Sequence, residues 1–315
     1  MYDEAGGVVN MKIVIVGAGA VGGYFGARLH EAGANVTFFV RENRAKQLKH
    51  NGLHINSVKG NSIWEQPSYI TDTNDIKDVD LVILATKGYH LENSINSWKA
   101  LISDRTFLLP LLNGVKHYSI LFEQFGKEKV IGGLANIVST LDDVGHVIHT
   151  SKVDKITFGT LHPQQEPICE TLAKWTSQAN IQATYSDKIS EAIWEKYMFI
   201  TAFSGVTTAS DVTTGPIREV GVTKDTFMQL LQEMKAIANA EGVALTDKHI
   251  ETAWKTMEVL PEQSTSSMHQ DFRKGLPIEV DYLQGFALQL AQQHQLDVPV
   301  LQTIYAMIKA KSYQT

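Results

Sequence analysis

The first residues whose types and spacing could do chemistry are Gly17-Ala18-Gly19-Ala20-Val21-Gly22. They follow an apolar, β-branched run, Lys12 to Val16, and precede Tyr24 to Ala32, which reads as helix. In that setting the first glycine turns the chain tightly, the second lets a pyrophosphate approach the backbone, and the third allows close helix packing. The unpaired N–H groups of the helix start, at the positive end of its dipole, favour phosphate. Gly17, Ala18, Gly19, Ala20, Val21 and Gly22 are therefore expected to bind a dinucleotide. A glycine-rich turn alone would not carry this. The order strand, turn, helix, then a second short strand from Asn35 to Val40 does.

The end of that second strand chooses between nucleotides. An Asp or Glu there receives the ribose hydroxyls of NAD. This sequence has Arg41, with Arg44 one turn on, and a pair of guanidinium groups suits the 2′-phosphate of NADP. Glu42, displaced by one position, is the competing sign of NAD, and a solvated basic helix start is the plain alternative. The expected cofactor is NADPH/NADP. A reduced nicotinamide supplies hydride, so the chain must also hold a carbonyl and protonate the forming alkoxide. No HExxH, P-loop, GxSxG or paired cysteine is present, and no metal is expected.

Five further features carry a resemblance. They are the opening MKIVIVGAGAVGGYFGARL, Thr86-Lys87 after DLVILA, Asn113-Gly114, Trp194-Glu195-Lys196, and Ser267-Met-His-Gln-Asp271 running on to Ile278-Glu279-Val-Asp281. With them the sequence resembles the ketopantoate reductases, from about Met11 to the C-terminus, including the twelve-residue step from Ser267 to Glu279. The resemblance implies that Lys196 is the general acid to a ketone oxygen and that Glu279 and Ser267 contact substrate. It also implies that Asn113 lies beside the nicotinamide or the carbonyl, and that Lys87 lies near the cofactor. The reaction implied is NADPH-dependent reduction of 2-dehydropantoate to (R)-pantoate in pantothenate biosynthesis.

Each residue also has a plainer reading. Lys196 could snorkel at the edge of an apolar helix. Ser267, with Gln270 three residues on, fits a helix-capping box. Glu279, two residues after Pro277, suits the first turn of a helix. Asn113-Gly114 is a common turn pair, though its place after a parallel strand is where ligands bind. The sequence also departs from the family. Members commonly carry asparagine four and eight residues after the lysine, and here Ile200 and Ser204 stand there, on one helix face. Ser204 keeps a hydroxyl for substrate, whereas Ile200 removes an amide. A reductase of a different, less polar 2-oxo acid, or a non-catalytic NADPH-binding sensor, are the alternatives.

Two kinds of domain must position these residues. A length of 315 residues suits two. Strands alternate with helices through Asp80–Ala85, His90–Leu101, Thr106–Leu109 and Val115–Phe125, which means a parallel, doubly wound sheet. β-rich stretches at Gly52–Trp64 and Val130–Gly159 read as extra strands at its edge. From Ile189 onward the sequence is nearly all helix, over Ile189–Phe203, Thr223–Glu241, Asp247–Val259, Glu279–His294 and Pro299–Lys311. The expected fold is α/β, a Rossmann-type domain over residues 11–186 with an all-helical domain over 187–315, and residues 1–10 as an extension outside it. A net charge of −6 without a basic run excludes a nucleic-acid footprint, and no apolar run is long enough to span a bilayer. A single cysteine, Cys169, fits a reducing cytoplasm. The expected partner is a small 2-oxo acid. The apolar C-terminal helices bury against their own domain or against a second copy in a homodimer.

Overall fold

The computed structural model describes residues 11–313, so the expectation for residues 1–10 lies outside the described residues. The chain divides into two compact units. Among the described residues, 11–112 and 117–189 form the first, and 113–116 and 190–313 the second.

In the first unit, β1 (Lys12–Val16), β2 (Asn35–Phe39), β5 (Tyr69–Ile70), β6 (Leu81–Leu84) and β7 (Phe107–Pro110) form one sheet in the order β5-β2-β1-β6-β7, every pair parallel. All four residues of β6 and four of the five in β1 are buried, as continuous apolar runs require when both faces of a parallel sheet are covered. Between these strands run α1 (Ala20–Glu31), α2 (Glu42–Asn51) and α3 (Leu91–Trp98), and α4 (Lys116–Phe125) follows β7. The strand order reverses at β1, whose neighbours are β2 on one side and β6 on the other. The carboxyl ends of β1 and β6 there form the crevice where open α/β sheets bind ligands.

The β-rich stretches do not extend the edge of that sheet as expected. A single bridge, Leu108 to Val130, touches it. Beyond that bridge, β3 (Leu53–Ser57), β4 (Ser62–Trp64), β8 (Gly132–Leu141), β9 (Val147–Gly159) and β10 (Gln182–Tyr185) form a second sheet of order β10-β9-β3-β4, with β8 antiparallel to β9. Helix α5 (Glu166–Gln178) joins β9 to β10; its apolar Cys169, Leu172 and Trp175 at helical spacing and Pro167 in the first turn were signals the sequence reading left unused. Helix α1 lies between the two sheets. Gly26 packs on Ile15 and Phe38 of the parallel sheet, Gly23 packs on Val147 and Leu53 of the second, and the Tyr24 hydroxyl donates to Asp154 Oδ2 at 2.7 Å. Burial from both sides explains why every residue from Gly22 to Leu29 is enclosed.

The second unit holds α6 (Ile189–Ser210), α7 (Thr214–Glu219), α8 (Gly221–Ala240), α9 (Asp247–Val259), α10 (Ser267–Arg273), α11 (Gln284–Gln293) and α12 (Pro299–Ser312). Polar side chains fix their ends. Buried Glu233 of α8 accepts from Val300 N at 3.0 Å and Leu301 N at 2.8 Å, satisfying the first turn of α12. Two expectations change here. The cap of α10 is Ser266, which accepts from His269 N at 3.1 Å, so Ser267 is the first helical residue and not the cap. Helix α11 starts at Gln284, so Glu279 precedes the helix; its carbonyl accepts from Tyr282 N and Leu283 N in a turn.

Candidate active site

Within the first unit the glycine run makes a tight turn with open backbone at the start of α1. Gly17, at φ +99°, turns the chain after β1 and donates to Phe39 O at 3.1 Å. A Cβ on Gly22 would collide with the Gly17 carbonyl, whereas one on Gly19 would meet nothing within 4 Å. The backbone at Gly19 is thus open to a ligand while the third glycine is closed by packing. Gly19 is the N-cap of α1, and no acid in the first turn, which begins Ala20-Val21-Gly22, neutralises the helix's positive end. Two polar atoms beside the turn, Thr86 Oγ1 and Arg44 Nη2, are buried without a hydrogen-bond partner among the described residues. Methyl Cγ2 of Thr86 lies against Gly17, and Arg44 Nε donates to Ala18 O at 2.8 Å. Open backbone and spare donors fit an anionic dinucleotide.

Arg41 is the exposed N-cap of α2, and its charge acts on His90, whose pKa is lowered first by burial and then by that guanidinium. Lys87 is exposed immediately before the turn Gly88–His90. The expected pairing of Arg41 with Arg44 is altered: Arg44 spends Nε on Ala18 and Nη1 on Gln47 Oε1, at 3.0 Å, leaving one nitrogen.

In the second unit, Lys196 sits mid-way along α6 and donates from Nζ to Asn113 Oδ1 at 3.0 Å. Burial pushes the Lys196 ammonium down to about 8, and the charge of buried Glu279 opposes part of that shift. Asn113 is presented by Gly114, at φ +81°, whose Cα face packs on Leu283, Tyr282 O and Tyr197. The Tyr197 hydroxyl in turn donates to Leu283 O at 2.6 Å, tying α6 to the turn that begins at Glu279. Lys196, Asn113 and Glu279, 83 residues apart in two steps of the chain, are thereby one cluster. A lysine with a lowered pKa, oriented by an amide and kept cationic by a carboxylate, can give a proton to a developing oxyanion.

The remaining residues join less directly. Ser204 is buried, and its hydroxyl accepts from Gln284 Nε2 at 2.8 Å; the same amide donates to Thr201 O at 2.9 Å. Gln284 Oε1 is buried without a hydrogen-bond partner among the described residues. Sequence reasoning missed Gln284, although a polar residue among the buried positions Phe286, Ala287 and Leu290 of α11 was a usable signal. Ile200 lies one turn from Lys196 and presents no polar atom. Ser267 is exposed at the start of α10 and is not brought to the lysine by any hydrogen bond among the described residues.

A parallel sheet with an open glycine turn, and a lysine of lowered pKa held by an amide beside a buried carboxylate, are features that a dinucleotide-dependent oxidoreductase would need. Comparison with known proteins makes this specific. The model of the family described as ketopantoate reductase PanE/ApbA matches residues 13–163, and the model of that family's C-terminal part matches residues 188–312. The chain belongs to the ketopantoate reductase family. It is 38% identical over 299 residues to the uncharacterized oxidoreductase YkpB of Bacillus subtilis, covering 95% of this chain and 98% of that protein. Among solved structures it is similar to 2-dehydropantoate 2-reductase from Geobacter metallireducens, with a TM-score of 0.88 and 26% identity over 95% of this chain and 99% of that one. It is comparably similar to D-mandelate dehydrogenase in a ternary structure with NADH and anilino(oxo)acetate, at a TM-score of 0.87 and 25% identity over 96% and 99% of the two chains. Among the described residues no helix is long and apolar enough to cross a membrane.

Proposed function

We propose that this protein is an NADPH-dependent reductase of a small 2-oxo acid, with 2-dehydropantoate as substrate and (R)-pantoate as product. The observation that carries the reading is the Lys196–Asn113 hydrogen bond beside buried Glu279, with the ammonium held at about 8. When bound, the reduced nicotinamide supplies hydride to the carbonyl carbon. Lys196 gives its proton to the carbonyl oxygen, and its charge attracts the substrate carboxylate. Asn113 Oδ1 occupies one Nζ hydrogen and so aims the other two. Glu279 keeps Lys196 cationic at neutral pH and accepts from a substrate hydroxyl. Gly17 to Gly22 hold the pyrophosphate, Arg41 takes the 2′-phosphate and Lys87 lies along the nucleotide. Ser204 and Ser267 are the hydroxyls left to contact substrate.

One observation favours a second reading, reduction of a less polar 2-oxo acid. Ile200 offers no hydrogen bond, and the Ser204 oxygen already accepts from Gln284 Nε2, which leaves that hydroxyl less capacity for a polar substrate. The relative crystallised with anilino(oxo)acetate is a mandelate dehydrogenase, whose name implies an aromatic 2-hydroxy acid. A panel of 2-oxo acids, each offered with NADPH and NADH and followed by loss of the reduced-nicotinamide absorbance, separates the two. Fastest turnover of 2-dehydropantoate supports the first reading; fastest turnover of aromatic oxo acids, or of aliphatic ones that lack its hydroxyl, supports the second. No turnover of any 2-oxo acid would defeat both.

A further inference from the structure

The tip of the β8–β9 hairpin, residues 142–146, lies against α2, where the glycine turn is also touched. Asn51 Nδ2 donates to Val144 O at 2.9 Å. Asp142 Oδ1 accepts from Val144 N at 3.1 Å and His146 N at 2.7 Å, which fixes the tip's backbone, and His146 stacks on His54 at 4.4 Å. Gly145, at φ +91°, faces the Arg44 guanidinium so closely that a Cβ there would collide with Nη1 and stand 3.0 Å from Gln47 Oε1. The Asp142 carboxylate acts on the same guanidinium. Arg44 therefore has a floor made by the hairpin and an exit blocked by Gln47, and its Nε reaches across to Ala18 O.

That contact has a consequence for ligand binding. The peptide between Ala18 and Gly19 is planar and trans, so its C=O and N–H point in opposite directions. Holding the Ala18 carbonyl toward Arg44 turns the Gly19 N–H the other way. Gly19 is the N-cap whose front is open, so its N–H is one of the donors a pyrophosphate would meet. We propose that Arg44, seated by the hairpin residue Gly145, is a positioning residue that sets the direction of the Gly19 N–H and so tunes affinity for the shared pyrophosphate of either nicotinamide dinucleotide. This inference rests on the dinucleotide reading of the glycine turn. It gives Arg44 a task separate from that of Arg41, which reads the 2′-phosphate.

The test is calorimetric titration of the full chain and of Arg44→Ala, Gly145→Ala and the double variant with NADH and NADPH, well below each variant's melting temperature. Each single change is expected to weaken both nucleotides by about tenfold, the scale of one hydrogen bond to a charged group. The double variant is expected to lose no more than either single one, because both changes remove the same contact. Gly145→Ala does this by displacing the guanidinium while leaving the arginine in the sequence, so it stands as the second arm if Arg44→Ala fails to fold. Unchanged affinity in both variants, or losses that add, would overturn the inference. A loss confined to NADPH would also overturn it, since Arg44 would then be reading the 2′-phosphate. Failure of the unaltered protein to bind either nucleotide would defeat the dinucleotide reading itself, and this inference with it.

Discussion

Raising the pH from 7 to 9 should cut the reductive kcat by about tenfold, because Lys196 titrates in that interval rather than above it. Burial disfavours the charged form of an amine, and so lowers its pKa from 10.5 to about 8. A group at about 8 is roughly nine-tenths protonated at pH 7 and roughly one-tenth at pH 9, whereas an ordinary lysine keeps its proton throughout. The ammonium is the acid, so reduction is fast below the pKa and is lost as pH rises through it. The reverse oxidation needs the neutral amine as base and should gain over the same range. Glu279→Gln removes the carboxylate that opposes the shift and should move the falling limb to lower pH. Lys196→Ala should lower kcat by about 10²- to 10⁴-fold, the usual worth of a general acid, with dinucleotide affinity nearly unchanged. The assay is steady-state turnover with saturating NADPH in overlapping buffers, using a deuterated nucleotide to show that hydride transfer limits the rate. A profile flat to pH 10, or full turnover by Lys196→Ala, would refute the assignment.

Arg41→Ala should weaken NADPH by about tenfold and NADH by less than about twofold, since an exposed guanidinium–phosphate pair is lost only with the former; equal losses, read by titration, would remove the NADP preference. Gly114→Ala forces a side chain to φ +81° and to 3.1 Å from Leu283 Cδ2. It should cost about 1–3 kcal/mol of stability, seen as a lower Tm, and should reduce kcat by displacing Asn113, while nucleotide affinity holds. An unchanged Tm with unchanged turnover would show that the turn at Asn113 is not what presents the amide to Lys196.

The sequence by itself determined whatever depends on neighbours in the chain. The strand, glycine turn and helix from Lys12 to Glu31 were legible because a continuous apolar run, a fixed glycine spacing and a 3.6-residue period are local signals. The same holds for the helices around Lys196 and from Asp247 and Pro299 onward. Tertiary structure alone decided what depends on distant partners. The stretch Val130–Gly159 became a hairpin in a second sheet because β9 pairs with β3, β8 and β10 from three parts of the chain, a choice that no local pattern encodes. Ser266 rather than Ser267 caps α10, a difference of one residue set by backbone angles. Lys196 was nameable from its motif, yet its lowered pKa arises from burial, held in check by the charge of Glu279, 83 residues further along the chain. The Ser204 oxygen accepts from Gln284, and Arg44 places its Nε on Ala18 O while Nη2 stays spare, and neither partner is legible in the chain around these residues. Long, flexible side chains find their partners in space, so residue type fixes what they can bond and only the fold fixes what they do bond.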